Sequence, residues 1–484
     1  MGVKLCNTII KMKSFRNPSY LERYEDVVFD LEQSLAINPA NNAAQVRNNM
    51  KFVADNSGEV TPFDWYNARI EMDFKVEQLD GTDFAIGANV NDAEILVANL
   101  AQITAYEGDQ MGIVNGANSF ISKLSVLANG KELYQCNYAN QSVNIKNLLE
   151  YNKAYVDSIA TNEFYFLDTS KSADKNRFLR QTVTHRRNDA NNADAAGLML
   201  DNVSPTFNEG FAKRKALLGT SNTVHCEIPL NRCSFFEALE DKLLPNTKIE
   251  INFEIESDNN LIWRDGGNDC RVIVTRLQLF VPRLVFNSEG NKLYMSDYLK
   301  PYKWTYLAEE IQNANPTNQR SGHFRITNGI SKPRHVFVFI VNSPNYDSQT
   351  ANPFLYNTFS VSTNPRTLNR CYLEVGNGNE YPDIHYKPST EPSRVFRDVM
   401  NYVYANNDYQ GGTLLNRSNY ENLFPFVYFD LTKQKLDIKD GVTKQSFPYE
   451  LSGATAANYT IFALILHERE AEIEQKSGKL LLRA

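Results

Sequence analysis

Long hydrophobic runs are missing from this 484-residue chain. The longest, Val336–Val341 and Ile461–Leu466, are strand-sized and far short of the ~20 apolar residues that cross a bilayer as a helix. Cysteine is scarce, with six residues (Cys6, Cys136, Cys226, Cys233, Cys270, Cys371) and no CxxC spacing. That excludes a dense disulfide scaffold and points to reduced, buried thiols. The apolar patch in Met1–Ile10 is broken by Lys4 and Asn7, too short for the core of a signal peptide. Cys6 stands where myristoylation of Gly2 would need Ser or Thr, and the sequons at Asn140, Asn202, Asn416 and Asn458 read as chance in an Asn-rich chain. The expectation is a protein made inside the cell and not secreted. An excess of positive charge is absent too: the net charge is −7, so the molecule as a whole is not an electrostatic nucleic-acid binder.

Catalytic signatures are equally sparse. GxSxG, GxxxxGK[ST] and GxGxxG do not occur, and Asn129-Gly130-Lys131-Glu132 reads as a hairpin turn rather than a phosphate loop. The six histidines (His185, His225, His323, His335, His385, His467) show no HExxH or HxH spacing. His225-Cys226 with Cys233 is the nearest approach to a metal cluster, but zinc wants tighter ligand pairs. Glu250/Glu254 and Glu71/Asp73 each lie on one face of a strand, a geometry a glycosidase could use, yet strands place acids on their wet face everywhere. We therefore expect no catalytic, cofactor or metal site, and no enzyme.

What is present is β structure. Aromatics reach 12%, with 25 Tyr and 28 Phe, side chains that fit a pleated surface. Lys248–Glu256 alternates cleanly, Ile249, Ile251, Phe253 and Ile255 against Lys248, Glu250, Asn252, Glu254 and Glu256. Tyr66–Glu77 does the same over twelve residues. Phe120–Leu127 runs into the Asn129-Gly130 turn and returns along Glu132–Cys136 as a hairpin. Val143–Val156 has helical spacing, Thr223–Pro229 is a further strand, and Tyr24–Leu35 reads as a short helix. Arg271–Phe280 starts another strand that Pro282 should end, since proline cannot donate to a ladder. The polar run Ser257–Asp269 before it has the composition of a linker.

The second half follows the first in outline. Leu373–Pro382 enters Asn377-Gly378 as Val126–Tyr134 enters Asn129-Gly130, Val395–Tyr404 matches Ile145–Tyr155, and Phe426–Asp430 and Tyr459–Leu466 match the closing strands. In this scheme Val272 pairs with Tyr66 and Tyr459 with Lys248 as equivalents. Extra chain falls at Ser170–Leu217, which holds the basic run Lys171–Arg187, and at Tyr294–Pro316. Met1–Arg23 is a basic arm, Lys4, Lys11, Lys13, Arg16 and Arg23 against Glu22.

Pro229-Leu230, Phe235-Phe236, Lys248–Ile251, Asp258–Asn260 and Leu277–Pro282 occur in an order that resembles the middle of the double jelly-roll major capsid proteins of Polinton/Maverick-type elements and related virophages and small DNA viruses. The resemblance runs over roughly Pro62–Leu466. It implies an all-β fold of two tandem eight-stranded jelly-roll β-sandwiches with short helices and long loop insertions. The expected divisions are an N-terminal arm at 1–60, a first jelly roll at 61–258, a linker at 259–269, a second jelly roll at 270–467 and a tail at 468–484. The resemblance further implies a homotrimer shaped as a pseudo-hexameric capsomer in an icosahedral virion, with neighbouring capsomers and a penton or minor capsid protein as partners. The basic arm would then contact genome or an inner capsid layer, and the two excursions would be tower or inter-subunit loops. The competing reading is a carbohydrate-binding or glycoside-hydrolysing tandem β-sandwich.

Overall fold

Ile249, Ile251, Phe253 and Ile255 all point into one core, while Glu250, Asn252 and Glu254 between them lie nearer solvent, as strand alternation requires. This is strand β8 (Ile249–Ile255) of the computed structural model, which describes residues 16–33, 35, 45, 47–55, 61–79, 110–173, 207–218, 223–244, 247–265, 270–298, 302–361, 366–376, 378–406, 412–434, 441–452, 458–474 and 479–483. Around it stand β1 (Leu21–Asp30), β2 (Met50–Ala54), β3 (Arg69–Gln78), β4 (Gln110–Ile113), β5 (Ile121–Ala128), β6 (Lys131–Asn137), β7 (Val224–Pro229), β9 (Ile262–Asp265) and β10 (Cys270–Phe286). Two antiparallel sheets, in the orders β1-β10-β3-β7 and β2-β8-β5-β6, face each other across a core that includes Phe52, Ile70, Phe74, Val126, Ile251 and Leu279. Asn129 and Gly130, both at positive φ (49° and 76°), make the two-residue turn between β5 and β6.

The second sandwich contains β11 (Tyr302–Asn313), β12 (Ser321–Ser331), β13 (Pro333–Asn342), β14 (Ser360–Val361), β15 (Arg366–Val375), β16 (Asn379–Tyr386), β17 (Val427–Asp430), β18 (Val442–Ser452), β19 (Tyr459–Glu474) and β20 (Lys479–Arg483). Its sheets run β11-β19-β13-β17 and β12-β18-β15, with β14 and β16 also paired to β15 and β20 to β19. Strand for strand this repeats the first sandwich, β11 in the place of β1, β19 of β10, β18 of β8 and β16 of β6. The chain is two jelly rolls in tandem, mostly β with few helices. Helix α1 (Ala139–Glu150) follows β6 as a longer helix, Pro392–Asn406, follows β16. The match of the β5–β6 hairpin with the β15–β16 hairpin and that of these helices hold; Asn377 itself lies outside the described residues. Those of Val272 with Tyr66 and of Tyr459 with Lys248 do not, because β10 and β19 are each other's counterparts.

Four expectations about boundaries need correction. First, Cys270–Phe286 belongs to the first sandwich, since β10 pairs β3 through Cys270↔Gln78 to Phe280↔Arg69 and β1 through Gln278↔Asp30 to Phe286↔Leu21. The presumed linker 259–269 therefore connects two strands on the near side of the division, and its described part continues a helical turn at Asp258–Leu261 into β9, paired with β4. Second, Pro282 does not end β10. Its carbonyl accepts from Asp64 N–H at 2.8 Å, on the side away from β1 where pairing with β3 has stopped at Phe280, so no ladder donor is missed. Third, the segment given to an arm supplies β1 and β2, one strand to each sheet, and Tyr24–Leu35 is not helical: Val27 and Phe29 turn towards the core while Tyr24 and Val28 face solvent. Fourth, Tyr294–Pro316 is no excursion but the end of a connecting helix, Ser288–Tyr298, and then β11; the tail after 467 continues as β19 and β20. Of Ser170–Leu217, the stretch 174–206 lies outside the described residues, as do Ala93–Ala105 and Met1–Phe15.

Candidate functional site

Helix α1 begins at Tyr138, held at φ 56°, and is buried on every side except at Glu150. It is wedged between the sandwiches, so its polar side chains must find partners there. Asn144 donates to the Tyr356 hydroxyl (2.9 Å) and accepts from Asn115 (2.9 Å), and the Tyr356 hydroxyl donates to Gln141 (3.1 Å). Lys146 Nζ lies 2.6 Å from Glu237, on a short helical turn at Ser234–Glu237, and 3.5 Å from Glu309 of β11. Ser234 gives both its backbone N–H (3.1 Å) and its hydroxyl to the same Glu309. Burial works against the Lys146 charge, but the two glutamates outweigh it and hold its pKa above the ordinary lysine value. Glu237 stays below the usual carboxylate range: Lys146 overcomes the cost of burial.

One turn along α1, Arg232 donates to Glu150 (3.0 Å) and its guanidinium sits 5.0 Å from the centre of the Tyr151 ring. Tyr151 and Tyr155 both donate to Glu163, each at 2.6 Å. Arg232, Glu150, Tyr151 and Tyr155 border a cleft of about 480 Å³ that Tyr66, Tyr402 and Leu466 also line. Further along the seam, Gln349 of the second sandwich pairs with the Cys270 backbone (3.0 and 2.7 Å), and Asn352 donates to Asp168 (3.0 Å). Tyr306 of β11 donates to the Leu133 carbonyl. Lys146 and Arg232 together hold Glu237, Glu309 and Glu150, and two tyrosine hydroxyls hold Glu163, so the polar side chains of the seam are tied to one another. The seam joins two sandwiches into one body.

Of the residues weighed as chemical candidates, His225, Glu71 and Asp73 come together with Arg276 on one exposed strand face, His225 2.6 Å from Asp73 and 3.9 Å from Glu71, while the others lie apart. His225 faces solvent, 2.6 Å from Asp73, while Cys226 on the opposite strand face is buried and bonds the Met72 carbonyl. Cys233 lies in the seam instead, its thiol pushed up to about 12 by burial. Among the described residues no group of three His, Cys, Asp or Glu side chains has metal-holding geometry. Glu250 is tied to Lys51 (3.0 Å) and Lys248 (2.9 Å), and Glu254 to Lys123 (3.4 Å). Glu71 lies 3.0 Å from Arg69 and Asp73 2.8 Å from Arg276. Of the basic run, Lys171 is described and Lys175–Arg187 lies outside the described residues. The seam charges themselves were missed. The only trace was a lysine set between Ile145 and Leu148, which sequence alone cannot tell from an exposed one.

No protein-family model matches the sequence, and no curated protein does. Solved structures do. A chain from the Sputnik virophage superposes with a TM-score of 0.54 at 11% identity, over 96% of this chain and 89% of that one. The fold is a double jelly roll. The mavirus major capsid protein shares it (TM-score 0.52, 11% identity, 95% and 90% covered), as does the Faustovirus major capsid protein (0.52, 8%, 97% and 92%).

Proposed function

We propose that this double jelly roll is a structural major capsid protein, and that three copies form a pseudo-hexameric capsomer that tiles an icosahedral virion. The observation that carries the reading is the duplication itself: two sandwiches of matching strand order joined by a buried seam of paired charges. Three such pairs approximate six-fold shape, and the function asks for rigid form and self-contact rather than reactive groups. Two of the proteins with this fold are named as major capsid proteins, of mavirus and of Faustovirus. Partners would be further copies, a penton or minor capsid protein and, through the basic arm, genome or an inner layer. Within that arm Arg16 clasps the buried Asp64 carboxylate with its guanidinium at 2.6 and 2.7 Å. Light scattering on the purified chain should give three times 55.1 kDa, and negative-stain images should show hexagonal particles. A stable monomer at high concentration would refute the reading. Removing residues 1–15 should spare the trimer and impair shell assembly; loss of the trimer would overturn the role given to the arm.

A further inference from the structure

The outer face of the β12-β18-β15-β16 sheet carries a second recess, of about 250 Å³, far from the seam. Strand pairing brings Ser321, Glu450 and Arg370 into one row across three strands. His323 stands opposite Pro448 in the next row, with Tyr372 two residues from Arg370 on the same face. Arg370 and Glu450 are opposite charges directly across a ladder, an arrangement that ordinarily closes into an ion pair. Here it does not. Arg370 turns its Nε to His385 Nδ1 (2.8 Å), and neither terminal guanidinium nitrogen has a partner among the described residues. The Glu450 carboxylate likewise has no ion pair among them.

The other groups explain why the guanidinium stays turned away. An arginine always donates, so His385 Nδ1 must accept and its Nε2 carries the proton that it gives to Glu380 (2.7 Å). The His385 ring lies flat on Tyr372, with centroids 4.0 Å apart and planes 8° from parallel. Arg370, His385, Glu380 and Tyr372 thus brace one another. They hold a guanidinium, its carbon 5.5 Å from the centre of the Tyr372 ring, whose two terminal nitrogens have no hydrogen-bond partner among the described residues, across from the Glu450 carboxylate and over a proline floor.

We infer that this recess binds one residue of a neutral glycan. A carboxylate accepts from two adjacent hydroxyls, a guanidinium donates to the oxygens beside them, and an aromatic or proline surface takes the C–H face of the ring. The volume lies below the ~300–1,000 Å³ of sites for drug-sized ligands, so it suits a single sugar ring rather than a cofactor. The acids favour a neutral sugar over an anionic one: Glu450 lines the recess, with Glu380 bonded to His385 and Glu374 3.9 Å from His323 beside it, against Arg370 and, one row further, Arg325. The site is independent of shell formation and would give a capsid surface an attachment function.

The test is saturation-transfer NMR on the full chain with methyl glycosides of galactose, glucose, mannose, fucose and N-acetylglucosamine, and with sialic acid as the acidic probe. At least one neutral glycoside should bind, weakly, with Kd on the order of millimolar. Glu450→Gln, Arg370→Met and Tyr372→Ala should each weaken it about tenfold or more, whereas Tyr372→Phe, which keeps the ring, should retain it. These side chains lie at the surface, so an unchanged circular dichroism spectrum will show that the variants fold. Silence from every neutral glycoside, binding of sialic acid alone, or undiminished binding in Glu450→Gln and Arg370→Met would each overturn the site. So would a signal abolished by self-assembly, since the face would then be a contact between copies.

Discussion

Two histidines sit where water does not reach. His335 on β13 is 8% exposed and His467 on β19 is 4% exposed. His335 Nδ1 meets the Tyr428 hydroxyl at 2.8 Å and its ring packs edge-on against Tyr402, with Asp430 and Arg334 the nearest charges. The Arg469 charge adds to the effect of burial at His467. Burial pushes both pKa values down, from the ordinary 6.5 to about 4. The folded chain therefore refuses protons that the unfolded chain accepts below pH 6.5. Stability is full above that pH, falls as the pH drops towards 4 and levels off beneath it. Each histidine should contribute on the order of 2–3 kcal/mol to that fall. Urea-unfolding free energies measured across the window should drop less steeply with acidification in His335→Gln/His467→Gln than in the parent. An equal slope would place the titration elsewhere.

At the scale of elements, α1 carries the most consequence per residue, because it touches both sandwiches and has no wet face. Asn144→Leu keeps the branched shape but strands the buried Asn115 amide and takes from the buried Tyr356 hydroxyl one of its two partners, leaving it Gln141. Losing these bonds should cost about 2–4 kcal/mol, read as a lower urea midpoint with an unchanged slope. A loss below ~1 kcal/mol would mean that water reaches those groups.

The contrast between α1 and β8 also explains what could be read from sequence. β3 and β8 announced themselves because each has one dry and one wet face, so alternation in the chain mirrors alternation in space. The Asn129-Gly130 turn was legible because its two positive φ angles restrict the residues allowed. β1 was misread because Val27, Val28 and Phe29 form an unbroken apolar run, although Val28 faces solvent. The division between sandwiches was misplaced for a different reason. A polar, glycine-bearing stretch such as Ser257–Asp269 looks the same whether it joins two strands of one sandwich or two sandwiches, and only pairing partners distinguish them. The seam charges and the Arg370–Glu450 recess come from residues far apart in the chain, which no local pattern registers.

At the scale of the molecule, each sandwich lends a tryptophan to the other. Trp304 of β11 lies in the first core with Tyr306, Ala308 and Ala471, and Trp263 of β9 lies in the second core against Phe211. Neither sandwich can open without uncovering its neighbour, so the two should unfold as one unit. Tryptophan fluorescence, which reports mainly on the seam, and far-ultraviolet circular dichroism, which reports on every strand, should follow coincident urea transitions. Lys146→Met sharpens the test. It leaves Glu237 and the buried Glu309 without their cation, at a cost of about 3–5 kcal/mol, and adding Glu309→Gln should recover part of that loss. Because the lysine serves both sandwiches, the variant should shift the two transitions together. If fluorescence moves while circular dichroism stays, the seam opens ahead of the strands, and the rigid pairing on which the capsomer reading depends is lost.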